Sequence, residues 1–170
     1  SLLYSERRIR AAHTGELLAR CTQVHYLRGV GGFGSAGEPP VRNELRQPEG
    51  SAPIEVSSHT LPQQGLLFRL NGDSNSLHID PGMAERAGFP RPILHGMCTI
   101  GMAVSAVLKT LSNFDARRVR GFSVRMTEPV LPGDTLHHAI WNNGMFMSRA
   151  VKEAGSSSGW ALSDGRVDFS

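Results

Sequence analysis

Cysteine is nearly absent. Cys21 and Cys98 are the only two in 170 residues, far apart and each in apolar company. That usage argues against a disulfide framework and leads us to expect buried thiols in a reducing, cytoplasmic setting. Aromatic residues are scarce at 6 %, and basic residues come in short scattered groups such as Arg7-Arg8 and Arg117-Arg118. With a formal net charge of only +3, nucleic-acid binding is not indicated, although a phosphate-bearing small molecule is compatible. No apolar run approaches the length of a membrane-spanning helix, and no basic-then-apolar leader opens the sequence, so no membrane partner is expected. Paired metal-ligand motifs are missing too. His78-x-Asp80, His95 and His137-His138 supply ligand types, but the last two would face opposite sides of a strand, so no metal is expected.

What is present reads as globular. The chain is 39 % apolar and 19 % charged, and its length suits one domain, or one domain with an appendage. Residues 1 to 34 hold strand-like pieces, notably "ELLARCTQVHYLR". Residues 35 to 53, rich in Gly, Pro, Ser and charge, read as a linker. Residues 54 to 170 have the texture of a compact domain. There "IEVSSHTL" reads as a strand, "GLLFRL" as a strand or short helix, and "PGMAERAGF" as a short helix.

In "HGMCTIGMAVSAVLKTL", Ile100, Val104, Val107, Leu108 and Leu111 recur at helical spacing, which predicts one long helix. Gly96, Gly101, Ala103 and Ala106 make its surface small enough for a sheet to approach closely. "RVRGFSVRMTEPV", "TLHHAIW", "MFMSRAVKE" and, after a Gly/Ser loop, "GRVDFS" then read as strands. A central helix followed by an antiparallel meander predicts an α+β fold.

Gly29, Gly31 and Gly34 match the spacing of a dinucleotide-binding fingerprint. That motif needs a helix immediately after it, so that the helix N-terminus faces the pyrophosphate. "SAGEPP" follows instead, and a glycine turn leading into a linker is the better reading.

"LFRLNGDSNSLHID" gathers Asp73, Asn75 and His78 beside a tight turn. In one reading, Asp73 serves the turn and His78 is a satisfied core histidine. In the other, Gly72 lets the chain present the Asp73 carboxylate at a strand end, Asn75 ties the loop, and His78 leaves its apolar neighbours to face a pocket. A carboxylate and an imidazole that reach one water can divide proton transfer between them.

This stretch resembles the hydratase 2 signature of the MaoC-like family: Phe68 as the aromatic, Gly72-Asp73-Ser74-Asn75 as the turn, Leu77-His78, and Ala84 as the small residue six positions later. "RPILHG" and "VRMTEPVLPGDTL" are similar to family segments that begin and follow the central helix, and "YLRGVGGFG" resembles the end of the first half of two-unit members. Asn71 and Ser76 depart from the usual small residue and proline.

The resemblance implies a hotdog fold, a long central helix wrapped by a curved antiparallel sheet, with residues 1 to 34 a remnant of a first such unit. The passage from Ile9 to Thr14 reads as compressed, as if a segment were missing there. The resemblance also implies (R)-specific hydration of trans-2-enoyl-CoA to (3R)-hydroxyacyl-CoA, or the reverse dehydration. Asp73 and His78 would be catalytic, Asn75 supporting, and no cofactor would be needed beyond the thioester itself. Gly96 is the candidate oxyanion donor, or else a glycine kept for close packing. His95 is expected to be structural at the start of the helix. Arg28, Arg91 and Arg125 are candidate phosphate contacts. A hotdog acyl-CoA thioesterase and a non-catalytic partner subunit that shapes a pocket remain as alternatives. The open edge of a single unit leads us to expect a homodimer or larger homo-oligomer.

Overall fold

The computed structural model describes residues 1–38, 53–152 and 157–170. Most of the expected linker, residues 39–52, lies outside the described residues. The chain divides into two compact units, Ser1–Asn43 and Glu44–Ser170.

In the first unit β1 (Leu2–Arg10) pairs antiparallel with β2 (Leu17–Tyr26), in register from Leu2 opposite Tyr26 to Arg10 opposite Leu17. None of its described residues is buried. Cys21 is exposed, so the expectation of two buried thiols holds for Cys98 alone. The local cue failed because a two-stranded ribbon has no second layer to bury either face. Gly29 (φ 69°) and Gly34 (φ 87°) take left-handed turns, and residues 35–38 form no helix, which removes the context of a dinucleotide site.

The second unit is a five-stranded sheet packed on one long helix. β3 (Ile54–His59), β4 (Val119–Met126), β5 (Thr135–Ile140), β6 (Met145–Val151) and β7 (Ser157–Phe169) lie in the order β3-β5-β6-β7-β4, with every pair antiparallel. Three short elements precede the long helix: α1 (Gln64–Arg69), a single 3-10 turn at Ser76–His78, and α2 (Pro81–Arg86). The long helix α3 (Gly96–Ser112) ends at Asn113, whose left-handed backbone (φ 49°) stops the helical ladder.

Two expectations are corrected. β5, β6 and β7 form a meander, but β4 does not precede it in space; it crosses to the far edge and pairs with β7. β7 also begins at Ser157, inside what reads as a Gly/Ser loop, and runs for 13 residues. Small residues there do not break the strand, because pairing with β6, from Val151 opposite Ser157 to Arg149 opposite Trp160, carries it.

The period of α3 explains the core. Ile100, Ala103 and Val107 lie one or two turns apart and meet Ile140, Phe146, Leu162 and Val167 from the sheet. A second cluster joins Leu94, Cys98, Val130, Leu136, Ala150 and Ala161. Ala103 and Ala106 are buried as their size suggests, whereas Gly101 is exposed with open space around it, so close packing does not explain it. Helix plus curved antiparallel sheet is the α+β hotdog arrangement.

On the helix-facing side of β5, His138 interrupts the apolar residues Leu136 and Ile140. It is fully buried, and its Nδ1 and Nε2 meet the Ser148 and Ser58 hydroxyls at 2.8 and 3.0 Å. Burial, with a smaller contribution from His137, pushes its pKa down to about 4. His137 faces the other way and meets Ser57 at 3.3 Å, so the two histidines alternate as strand geometry requires.

Candidate active site

The loop bearing Asp73 follows a helix, not a strand. The last turn of α1 closes with the Gly72 N–H donating to the Arg69 carbonyl at 2.9 Å, and Gly72 takes φ 97°, the left-handed conformation common after a helix end. The chain thus reverses within one residue and delivers Asp73 at the helix terminus. Asp73 Oδ1 accepts the Asn75 N–H at 3.1 Å, and Asn75 Oδ1 accepts the Leu77 N–H at 3.1 Å. These successive bonds hold the loop by its own side chains. Asn75 also caps the 3-10 turn that carries His78.

His78 is fixed from the other side. Its Nδ1 lies 2.8 Å from the carbonyl of Ile93, which can only accept, so Nδ1 carries the proton and Nε2 is bare in the neutral ring. The next residue along, Leu94, donates its N–H to Val130 at 2.7 Å. The segment before α3 is therefore clamped between the His78 turn and the chain leaving β4.

His95 joins this group. The sequence suggests a structural residue at the helix start, and His95 does occupy the cap position, but its side chain makes no capping bond. The ring instead stacks on His78, with centroids 3.9 Å apart and 30° between planes, and meets Phe68 at 4.8 Å. It is buried, and neither ring nitrogen has a hydrogen-bond partner among the described residues. Burial and the His78 ring hold its pKa below the ordinary histidine value; the Asp73 carboxylate and backbone oppose that shift.

Asp73, His78 and His95 each turn one ligand-type atom towards a shared space, all within 4.8 Å of one another. The sequence had shown no such set, because the fold and not a motif assembles it. Zinc bound tetrahedrally at about 2.0–2.1 Å would need its ligand atoms roughly 3.4 Å apart. A water hydrogen-bonded at about 2.8 Å to each of two groups spans roughly 4.6 Å. A separation of up to 4.8 Å accommodates such a water.

Gly96 opens α3 beside His95. The Cys98 and Thr99 N–H groups both reach the His95 carbonyl, leaving those of Gly96 and Met97 without a helical acceptor. A Cβ at Gly96 would meet the sulfur of Met126 on β4, but that sulfur sits near the end of a flexible, exposed side chain, so packing constrains this position only weakly. Both sequence readings of Gly96 keep a physical basis.

A cleft of about 200 Å³ opens beside His78 and is lined by Leu66, Ile79, Arg91 and Pro132 among others. Arg91 is thus at the cleft, whereas Arg125 stands exposed on β4 and Arg28 belongs to the other unit. A larger depression of about 470 Å³ lies by Thr110, Leu111 and Phe169 near the opposite end of α3, and no candidate catalytic residue lines it. Gly65 is a positioning residue that sequence reasoning missed. A Cβ there would sit 3.0 Å from the His78 carbonyl oxygen, tighter than an ordinary contact, so glycine at 65 lets α1 lie close against the histidine turn. The lone glycine in "QQGLLFRL" was the available signal.

Comparison with known proteins gives a consistent picture. The family described as "MaoC like domain" matches residues 43–158. The peroxisomal enoyl-CoA hydratase 2 of Arabidopsis thaliana is 39 % identical over 153 residues, covering 85 % of this chain and 50 % of that protein. The enoyl-CoA hydratase ChsH3 of Mycobacterium tuberculosis is 45 % identical over 126 residues, covering 74 % of this chain and 43 % of its own length. Among solved structures, a MaoC-like dehydratase from Phytophthora capsici superposes with a TM-score of 0.84 at 28 % identity, covering 99 % of this chain and 58 % of that one. The chain spans about half the length of the curated relatives it matches.

Proposed function

Since the chain belongs to the family of MaoC-like domains, we propose that it adds water to trans-2-enoyl-CoA to give (3R)-hydroxyacyl-CoA, or runs the reverse dehydration. In this reading residues 54 to 170 form the catalytic unit and residues 1 to 34 are a remnant of a first hotdog unit. No cofactor takes part beyond the coenzyme A thioester. The observation that carries the proposal is the convergence of Asp73 with a His78 whose Nδ1 is committed to Ile93.

Hydration needs a water aimed at the β-carbon and a place for charge on the thioester oxygen. Asp73 and the bare Nε2 of His78 hold the water between them. As the water oxygen bonds to the β-carbon, one of its protons passes to this pair. The alkene electrons move onto the thioester, and the α-carbon then takes a proton from the same face. The Gly96 N–H, at the positive end of α3, serves in this reading as the donor to the developing oxyanion. Arg91 at the cleft offers a charge for a coenzyme A phosphate.

One assay tests the reading against its alternatives. Crotonyl-CoA is mixed with the purified chain while absorbance at the enoyl thioester band and free thiol are followed together. Loss of absorbance without thiol release is the expected result. Thiol release would identify a thioesterase, and neither signal would leave a non-catalytic pocket-shaping subunit.

A further inference from the structure

The dyad accounts for only two contacts to the reacting water, and His95 lies directly against it with nothing to do. Its ring is 1 % exposed, and both of its nitrogens are unpartnered among the described residues. Buried polar atoms are seldom kept in that state unless a bound molecule satisfies them. One ring atom of His95 shares the space into which Asp73 and His78 point, within 4.8 Å of both.

Resting on the hydratase reading above, we infer that His95 is a third catalytic contact, donating a hydrogen bond to the reacting water. A water has four hydrogen-bonding directions. Its two protons go to the Asp73 carboxylate and to Nε2 of His78, which must accept because Nδ1 donates to Ile93. One lone pair accepts from an N–H of His95. Only one lone pair then remains, and it is the one that attacks the β-carbon. With two contacts the water can still turn and offer either lone pair; with three its attacking direction is set.

The environment of His95 suits a donor of this kind. Neither ring nitrogen makes a hydrogen bond within the described residues, and the nearby Asp73 carboxylate and backbone favour a proton on the ring, so the nitrogen facing the site is able to carry it. Burial and the stacked His78 disfavour its charged form, so it orients the water without competing for the water's proton. Packing against Phe68 and His78 holds the ring plane.

The test compares His95→Phe with His95→Gln in the full chain. Phenylalanine keeps a flat ring against Phe68 and His78 but removes the donor; glutamine restores a donor. For His95→Phe, kcat should fall roughly 10- to 100-fold with KM changed by no more than about twofold, since the lost contact is to water and not to the thioester. His95→Gln should recover much of that loss. A phenylalanine variant with wild-type kcat, or a glutamine variant no better than phenylalanine, would overturn the inference. Should His95→Phe not fold, a high-resolution crystal structure of the wild-type chain decides. A water within hydrogen-bond distance of Asp73, His78 and His95 supports the assignment, and an ordered site without one overturns it. Asp73→Asn and His78→Gln run in parallel. If these two retain hydration, the hydratase reading itself fails; if they lose it while His95→Phe does not, only the role of His95 falls.

Discussion

The rings of His78 and His95 meet at 3.9 Å, tilted by 30°, joining the 3-10 turn that carries one to the first turn of α3 that follows the other. The proposed base and the proposed oxyanion donor Gly96 are thereby mounted on parts of the chain that touch through aromatic rings. Ile93 adds a hydrogen bond to the same union. Preorganisation of this kind lets fixed groups stabilise charge without rearranging during the reaction.

Replacing either member of the dyad is the most direct check on the site. Asp73→Asn and His78→Gln each remove a proton-transfer group at nearly constant shape, so hydration should fall by about 10³-fold or more while the fold is retained. Turnover of the purified variants, with circular dichroism as the control, measures this.

Gly65→Val should damage the enzyme without touching a catalytic group. The added side chain meets the His78 backbone carbonyl, which cannot rotate away, so the turn must shift. Displacements of about 1 Å at a reacting group can cost 10²-fold, and a loss of roughly 10- to 100-fold in kcat/KM is expected. Near-normal kcat/KM would mean that α1 moves aside freely.

Acid should loosen the sheet through His138. Its folded pKa of about 4 lies below the ordinary value of 6.5, so the unfolded chain binds a proton that the folded chain refuses between those values. This contribution is complete above pH 6.5 and is lost as pH falls towards 4, at most about 3 kcal/mol in all. Urea midpoints at pH 7 and pH 5 should therefore differ. His138→Gln, which keeps polar contacts to Ser58 and Ser148 but does not titrate, should flatten the dependence.

Stereochemistry tests the mechanism more sharply than rate does. A water held on one side of the alkene gives one hand at the β-carbon, and the proposed function requires (3R). Crotonyl-CoA hydrated in heavy water, analysed by chiral chromatography and NMR, should yield a single (3R) alcohol deuterated on the same face as the added oxygen. A (3S) product would place the chemistry at another site.

Self-association is expected as well, because β3 and β4 stand at the two edges of the five-stranded sheet and Phe122 and Met126 on β4 are more than half exposed. Light scattering across a wide concentration range should report a dimer or larger. A monodisperse monomer throughout would contradict it.

The parts of this molecule that were legible in its sequence are those written locally. The spacing of Ile100, Val104, Val107 and Leu111 marks α3, and Gly72-Asp73-Ser74-Asn75 spells out a turn whose side chains satisfy its own backbone. What escaped is set by contacts distant in sequence. His95 reads as a structural residue at the helix start until Phe68 and His78 are brought against it. Gly65 has meaning only once the His78 carbonyl lies over it. The place of β4 beside β7 depends on which edge the chain returns to, and no period of two or of 3.6 residues encodes that. Ser157 to Gly159 look like loop because small residues carry weak strand preference, while pairing with β6 supplies what propensity lacks.

The crossover of β4 also bears on how the protein is made. Among the described residues its only ladder partner is β7, yet β5 and β6 both leave the ribosome between the two. While β5 and β6 are already able to pair with each other, β4 waits as an unpaired strand with its backbone donors and acceptors uncovered. Long-range pairing of this sort closes slowly, and the interval exposes a sticky edge to neighbouring nascent chains. Synthesis in a crowded host should therefore be limited by this waiting strand more than by the helix, and added chaperone should raise the soluble yield.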